Sequence, residues 1–194
     1  YLIDIEPQRA NNKTANEVAL LESELMIKKT LVKLDFDITY FRIGNFVTSE
    51  LYHRSPFMIK SYHILDSTIV DNPIFLESEN GKSFKLIYTI KGINFSYECG
   101  FNKKLNLKHI ELEIKKNNKY LDAKRNIDGN LLKGKFKFQI NSMEVLSNNF
   151  SLKNFYTIVK NKDVDVVSVC YIDEVPEKAQ AFVNTLADTY INDV

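Results

Sequence analysis

The sequence predicts an α+β fold: a mixed α/β base, with long helices packed on a sheet, that carries an inserted antiparallel β-sandwich or jelly-roll-like region. Helical periodicity is confined to the two ends of the chain, and strand patterns form one block between them instead of alternating with helices. The 194 residues, 44% of them apolar, are enough to bury the core of one domain with a large insertion. We therefore treat residues 1–194 as one domain and residues 57–145 as its β-rich insertion.

The first predicted helix follows a short extended segment, Tyr1–Glu6, and a polar loop. Thr14 and Glu17 have the spacing of a capping box, in which each side chain satisfies the other's free backbone amide, so we expect the helix to begin there. Its apolar residues fall on two opposite faces of a helical wheel. One face holds Val18, Leu21, Leu25 and Val32, and the other holds Leu20, Ile27, Leu31 and Leu34.

A surface helix of a monomer needs one apolar face, so the second face of this helix needs a partner. That partner is either another layer of the fold, such as the final helix, or another subunit. The sequence leaves both alternatives open. If the partner is another subunit, the oligomer interface consists of Leu20, Ile27, Leu31 and Leu34.

The middle of the chain predicts a series of short strands separated by turn residues, which is typical of a sandwich. Alternation begins after Asp37, and Gly44-Asn45 and Asn80-Gly81 predict two-residue hairpin turns, the second of type I′. Further turns are predicted at Asp71-Asn72-Pro73, Asn117-Asn118 and Asp128-Gly129. The predicted strands are Phe57–Leu65, Ile74–Glu77, Ser83–Lys91, Ile93–Cys99, Ile110–Lys115 and Lys135–Ile140.

The last part of the chain predicts a short helix at Ser151–Lys160, and then a strand and a helix within Val166–Val194. An acidic turn closed by Pro176 separates the last two elements. Phe182, Leu186 and Tyr190 share one face of the final helix, and we expect them to pack on the first helix. That helical pattern is still in register at the last residue, so we expect a fragment of a longer protein, with the end projecting from the body.

No motif in the sequence predicts a catalytic, cofactor or metal site. Gly129–Lys135 matches the G-x-x-x-x-G-K pattern of a phosphate loop, but Phe136 replaces the required Ser or Thr and a strand pattern follows instead of a helix. Glu50 lies three residues before His53, but His63 and His109 have no paired ligand at local metal spacing, so a metal site would have to be assembled by folding. The two cysteines are expected to be buried apolar residues. We read the acidic pairs Asp173-Glu174 and Glu111/Glu113 as structural.

The charge of the chain does not point to nucleic acid. The formal net charge is +1, and the basic stretch Phe101–Lys137 contains a single arginine and no known nucleic-acid-binding module. Lysines at exposed strand edges explain this stretch adequately.

Three segments near the start and one at the end together resemble a known family. They are the stretch NEVALLESELMIKKTLVKL from Asn16 to Leu34, Asp37–Phe41, Thr48–Tyr52 followed by Ser55-Pro56-Phe57, and the closing pattern from Asp173 and Pro176 through Ala179 to Val183–Ala187 and Tyr190-Ile191. Their order and spacing resemble the chain-length determinant domain of bacterial polysaccharide co-polymerases. The similarity is greatest to the capsule and exopolysaccharide branch, whose members often carry a cytoplasmic tyrosine autokinase.

The resemblance covers about the first sixty and the last thirty residues, and it implies a non-enzymatic scaffold without a cofactor. The domain would stand on the periplasmic side of the inner membrane, held there by membrane segments outside this sequence. Its partners would be copies of itself, the polysaccharide polymerase or export machinery, and polysaccharide. Its role would be to regulate the length or export of polysaccharide.

Two other functions remain open from the sequence alone. A carbohydrate-binding module on the β-block would need exposed aromatic rings on one sheet face, for which Tyr52, Tyr62, Tyr88 and Tyr97 are the candidates. A cell-envelope hydrolase would need two carboxylates converging in a cleft.

Overall fold

The computed structural model describes residues 6–124, 130–151, 154–161 and 166–193. Within these ranges the chain divides into two compact units. The helical unit is formed by the chain up to Phe36 and from Met143 onward, and the β unit by Asp37–Ser142.

The elements follow one another in an α+β order, with a block of strands between helical segments. In chain order they are α1 (Glu6–Leu21), α2 (Glu24–Leu31), β1 (Ile38–Ile43), β2 (Thr48–Glu50), β3 (Phe57–Ile64), β4 (Pro73–Ser78), β5 (Ser83–Ile90), β6 (Ile93–Gly100), β7 (Lys103–Asn106), β8 (Ile110–Lys116), α3 (Asn118–Ala123), β9 (Gly134–Ile140), α4 (Met143–Ser151), β10 (Phe155–Asn161), β11 (Val166–Tyr171) and α5 (Pro176–Asp193).

The β unit contains two antiparallel sheets that share one core. One sheet has six strands in the order β2-β1-β9-β4-β5-β6, and the other has three in the order β3-β8-β7. Buried side chains alternate with outward ones along β4, β5, β8 and β9, and those from both sheets form one apolar cluster. Its largest fully buried members are Tyr88, Phe57, Phe84, Phe136 and Phe138.

A hydrogen bond links the two sheets directly. Tyr40 in β1 accepts a hydrogen bond from the backbone N–H of Ile59 in β3 at 3.0 Å, and its ring packs edge-on against Phe57. The order of the elements and the antiparallel pairing of the strands confirm the predicted α+β class.

The β unit begins earlier than the sequence predicted. It starts at Asp37 instead of 57, because β1 pairs with β9 along its whole length, from Ile38 opposite Ile140 to Ile43 opposite Lys135. It ends at Ser142 instead of 145. The backbone N–H of Asn141 donates to the carbonyl of Asp37 at 2.8 Å, so the chain enters and leaves the unit at neighbouring positions.

The prediction of one helix starting at Thr14 is wrong. Thr14 lies inside α1, which already begins at Glu6, and a second helix, α2, starts after Ser23. The Ser23 hydroxyl accepts from the N–H of Met26 and donates to the carbonyl of Leu20, which satisfies backbone groups at the break. The prediction for Tyr1–Ile5 lies outside the described residues.

The final strand and helix are confirmed as β11 and α5, with Pro176 in the first position of the helix. The helix predicted at Ser151–Lys160 is wrong, because residues from Phe155 form β10 and pair with β11. A helix that the sequence pattern did not predict, α4, precedes β10. Leu152 lies outside the described residues.

The hairpin predictions were right in place and wrong in type. Residues 44–47 and 79–82 form four-residue connections instead of two-residue turns. Lys91-Gly92 forms a tight turn between β5 and β6, where both residues have positive φ, 50° and 77°, and Ile90 pairs with Ile93. Asn117 caps α3, and the predicted turn at Asp128-Gly129 lies outside the described residues.

Candidate interaction surfaces

The four residues of the predicted oligomer interface do not form one surface. Ile27 and Leu31 are 0% and 2% exposed, Leu34 is half-buried, and only Leu20 is exposed. The interface prediction therefore fails for Ile27 and Leu31, because these side chains belong to the chain's own core. Leu20 lies in α1, before the break at Ser23, so it does not share a continuous helical face with Ile27 and Leu31 in α2.

The partner of the buried face of α2 is the rest of the helical unit. Helix α2 packs against both α4 and α5. On α5, Phe182 and Leu186 are fully buried and Tyr190 is half-buried, and Phe182 contacts the rings of Phe150 and Tyr171. The sequence alternative in which the helix meets another layer of the fold therefore applies to this face.

Two polar contacts fasten α2 to the far end of α5. Lys33 donates to the buried Thr189 hydroxyl at 2.9 Å, and Lys29 pairs with Asp193 at 2.6 Å. The hydrogen bond from Lys29 lowers the pKa of the Asp193 carboxyl below its ordinary value. Both lysines lie near the C-terminal end of α2, where positive charge also suits the helix dipole.

The other face of α2 presents apolar side chains to solvent. Leu25 and Val32 are 64% and 73% exposed, and their spacing of seven residues places them on the same face. On the helical wheel, both residues belong to the face opposite the predicted interface. Which stripe is buried depends on the contacts with α4 and α5, and periodicity alone does not determine it.

The tyrosines suggested for carbohydrate binding do not form a row. Tyr88 is fully buried, and Tyr97 is half-buried and packs on the same core. Tyr62 is at the surface and donates to Asp37, and Tyr52 stacks on His53.

The tyrosine and histidine of the core form a buried polar pair. The Tyr88 hydroxyl lies 3.1 Å from Nδ1 of His109, and burial raises the pKa of this tyrosine. The ring of Phe95 packs edge-on against His109. His53 and His63 are exposed, whereas His109 is buried.

The outer face of the six-stranded sheet offers a different aromatic arrangement. Phe41 in β1 and Phe75 in β4 are both direct cross-strand partners of Lys137 in β9. All three side chains therefore share one face, and the Lys137 ammonium lies 4.4 Å from the centre of the Phe41 ring. These two phenylalanines were not among the sequence-based candidates for sugar binding, which were all tyrosines.

The carboxylates considered for hydrolysis have structural partners. Glu111 and Glu113 pair with Lys104 and Lys115, at 3.1 and 3.2 Å. Asp173 accepts a hydrogen bond from the backbone N–H of Val175 at 2.8 Å, next to the start of α5.

An open depression of about 470 Å³ lies at one end of the six-stranded sheet. Cross-strand pairing places four charged residues side by side across β9, β4, β5 and β6. In that order they are Lys135, Glu77, Lys85 and Glu98, so positive and negative charges alternate. Lys135 lies 3.4 Å from Glu77. This arrangement is a ladder of surface charges in which each carboxylate has a cationic neighbour.

The remaining chemical candidates from the sequence are also accounted for by packing. Cys99 and Cys170 are free thiols that are half-buried instead of buried as predicted, and partial burial together with the neighbouring Glu98 raises the pKa of Cys99. Strand β9 begins at Gly134, inside the G-x-x-x-x-G-K match, and continues through Phe136, so a strand and not a helix follows the match, as predicted. Gly129 lies outside the described residues.

Among the described residues, no group of three or more His, Cys, Asp or Glu side chains is placed to hold a metal ion. None of the helices that the structure describes is long and apolar enough to cross a membrane.

No protein-family model matches the chain, and no curated protein matches it. Among solved structures, the chain is similar to the crystal structure of FlgL from Xanthomonas campestris, with 6% sequence identity and a TM-score of 0.26. The match covers 78% of this chain and 41% of FlgL, so the chain spans less than half the length of that protein. A likeness at this level identifies neither the fold nor the function of the chain.

Proposed function

We propose that the chain is a non-catalytic scaffold domain of a membrane polysaccharide co-polymerase on the periplasmic side of the inner membrane. It associates with copies of itself and with the polymerisation or export machinery, and it thereby regulates the length or export of capsular polysaccharide or exopolysaccharide. Membrane segments outside this sequence anchor it.

One observation carries this proposal. The main segments that resemble the chain-length determinant family, Asn16–Leu34 and the stretch from Val166 onward, are more than a hundred residues apart in sequence, yet they fold into one helical unit. Helix α2 of the first segment packs on α5 of the second, with Lys33 bonded to Thr189. This supports treating the two segments as parts of one domain signature.

The surface we assign to self-association is the exposed face of α2, formed by Leu25 and Val32. Exposed apolar side chains on one face of a helix are typical of an interface with another protein. This assignment replaces Ile27 and Leu31, whose burial makes them unavailable.

The test uses the intact membrane protein with Leu25→Asp and Val32→Asp combined. We expect chemical crosslinking to yield fewer oligomers, and the length distribution of the polysaccharide to change, because charged groups at the contact resist desolvation. The matched control is Ile93→Asp, which charges a residue that is 58% exposed in the β unit. An unchanged length distribution in the double variant, with crosslinking equal to the control, would refute the proposal.

A second candidate function is a carbohydrate-binding module on the β unit, favoured by the arrangement of Phe41 and Phe75 about Lys137. Aromatic rings pack on the apolar faces of sugar rings, and the ammonium group suits a carboxylated glycan. Titration of the purified chain with an acidic oligosaccharide tests it. Binding that is lost in Phe41→Ala/Phe75→Ala supports the function, and no binding by the unaltered chain excludes it.

A further inference from the structure

Strands β10 and β11 form a two-stranded sheet in which the backbone directions can be read from one contact. Thr157 pairs with Val169, and the Thr157 N–H points away from β11 because it donates to the Glu22 carboxylate at 3.2 Å. In an antiparallel ladder, hydrogen-bonded and non-hydrogen-bonded pairs alternate along the strand. In a non-hydrogen-bonded pair, the N–H and C=O groups of both residues point away from the partner strand. The backbone groups of Val169 and Val167 therefore point away from β10.

Strands at the other sheet edges carry features that discourage pairing with another strand. Strand β2 has three residues, β7 carries Lys103 and Lys104, and β3 has an irregular register next to Lys60. Strand β6 presents the polar residues Asn94, Ser96 and Glu98 on one face. On β10, Glu22 covers the edge, with a second hydrogen bond of 2.7 Å from the Thr157 hydroxyl.

Strand β11 lacks these features. Its sequence, Val-Val-Ser-Val-Cys-Tyr, contains no charge and no proline. In the part of the chain that the structure describes, no strand pairs with its second edge. An uncharged strand of high β propensity with outward backbone groups is a template for strand addition.

We propose that β11 pairs antiparallel with β11 of a second copy of this chain, about a twofold axis at Ser168. We choose a second copy as the partner because β11 is itself an uncharged strand, so pairing two copies places apolar side chains opposite apolar side chains. An edge that carries lysines, such as β7, would instead place charged side chains next to the valines of β11. The proposal does not depend on the proposed function or on the exposed face of α2.

The outward direction of Val167 and Val169 fixes the register of this pairing. Val167 of each copy exchanges two backbone hydrogen bonds with Val169 of the other, and the two Ser168 residues form the closer, non-hydrogen-bonded pair between them. Val166, 44% exposed, then lies opposite Cys170 of the second copy. The result is a continuous four-stranded sheet in which no charged side chains face each other across the new ladder.

The experiment introduces a cysteine at the axis, in a Cys99→Ser/Cys170→Ser background that removes the native thiols. Ser168→Cys places two thiols on residues whose Cα atoms lie roughly 4.5 Å apart in such a pair, which a disulfide can span. Mild oxidation should convert most of the purified chain into a covalent dimer on a non-reducing gel. Ser96→Cys, the same replacement at a more exposed position on β6, should leave it monomeric.

A second change tests whether the contact uses the backbone. Val169→Pro in the Ser168→Cys protein removes an outward N–H without removing a bond to β10, and should lower the dimer yield at least ten-fold. Val169→Ala keeps the N–H and should retain the yield. Circular dichroism verifies that each variant is folded, and for a Pro variant that unfolds, Val169→Lys replaces it.

Three outcomes would overturn the proposal. They are a dimer yield for Ser168→Cys no higher than for Ser96→Cys, a yield that a folded Val169→Pro or Val169→Lys variant leaves unchanged, and a crosslinked product whose mass is not twice that of the chain. The last outcome would show a different occupant of the edge.

Discussion

At the scale of single residues, the β unit depends on tyrosine hydroxyls that have partners within its core. Tyr40 accepts the Ile59 N–H, and Tyr88 lies against His109. Strand alternation in the sequence indicated which residues point inward, but it gives no information about which polar atom meets which across the two sheets. For this reason the sequence could not separate core tyrosines from binding tyrosines.

Tyr40 should make the chain sensitive to alkaline pH. Burial raises the pKa of its hydroxyl from 10.0 to about 12, so the unfolded state loses this proton first as pH rises. The free energy of unfolding therefore contains a contribution that is complete below pH 10 and is lost between pH 10 and 12. Tyr40→Phe should make the fall of stability over this range less steep.

Urea denaturation at a series of pH values checks this prediction. At neutral pH, Tyr40→Phe should lower the free energy of unfolding by about 1 kcal/mol, because the Ile59 N–H loses its acceptor. Curves of stability against pH that run parallel for the two proteins would contradict the pKa argument.

At the scale of elements, periodicity predicts the strands of the β unit but not β10, the strand that pairs with β11. The strands of the β unit were predictable because alternation extends over whole strands such as β5 and β9. The stretch before β11 was not, since Phe155 and Val159 fit a helical spacing of four and also share one face of a strand. Pairing with β11 resolves this ambiguity, and pairing is not visible in a short window of sequence.

Ser23 determines where α2 begins, and its removal should weaken the helical unit. Ser23→Ala deletes the hydroxyl that accepts the Met26 N–H, and such losses cost about 1 kcal/mol. Denaturant unfolding of the variant measures the change. Ser96→Ala, at an exposed position in β6, is the control and should be neutral; an equal effect of the two substitutions would argue against the capping role.

Lys91 occupies a backbone conformation that suits asparagine better. Its φ of 50° belongs to a tight turn with Gly92, and Asn-Gly is the preferred pair for turns of this kind. Lys91→Asn should raise the free energy of unfolding by about 0.5 kcal/mol. Lys82→Asn, an exposed lysine without positive φ in the neighbouring connection, should produce no gain of this kind in the same thermal or urea unfolding experiment.

At the scale of the whole molecule, the division of the chain into an inserted β unit and a helical unit could be anticipated from the sequence, but its boundary could not. The prediction placed the start of the insertion at 57 because Ser55-Pro56 interrupts the pattern there. The structure places β1 inside the unit through its pairing with β9, about a hundred residues later in the chain. The exposed face of α2 was missed for a related reason, since burial of Ile27 and Leu31 depends on contacts with distant helices.

The β unit should fold when it is separated from the rest of the chain. Every described residue of its apolar cluster lies between Ile38 and Ile140, so the excised fragment keeps all of these residues. The bond between Asn141 and Asp37 ties its two ends together. A fragment of residues 37–142 should therefore show a β-rich circular dichroism spectrum and a single cooperative urea transition. Phe138→Ala removes a fully buried ring and should lower the free energy of unfolding of the fragment by about 3–5 kcal/mol. A non-cooperative transition in the unaltered fragment would show that the β unit needs the helical unit to fold.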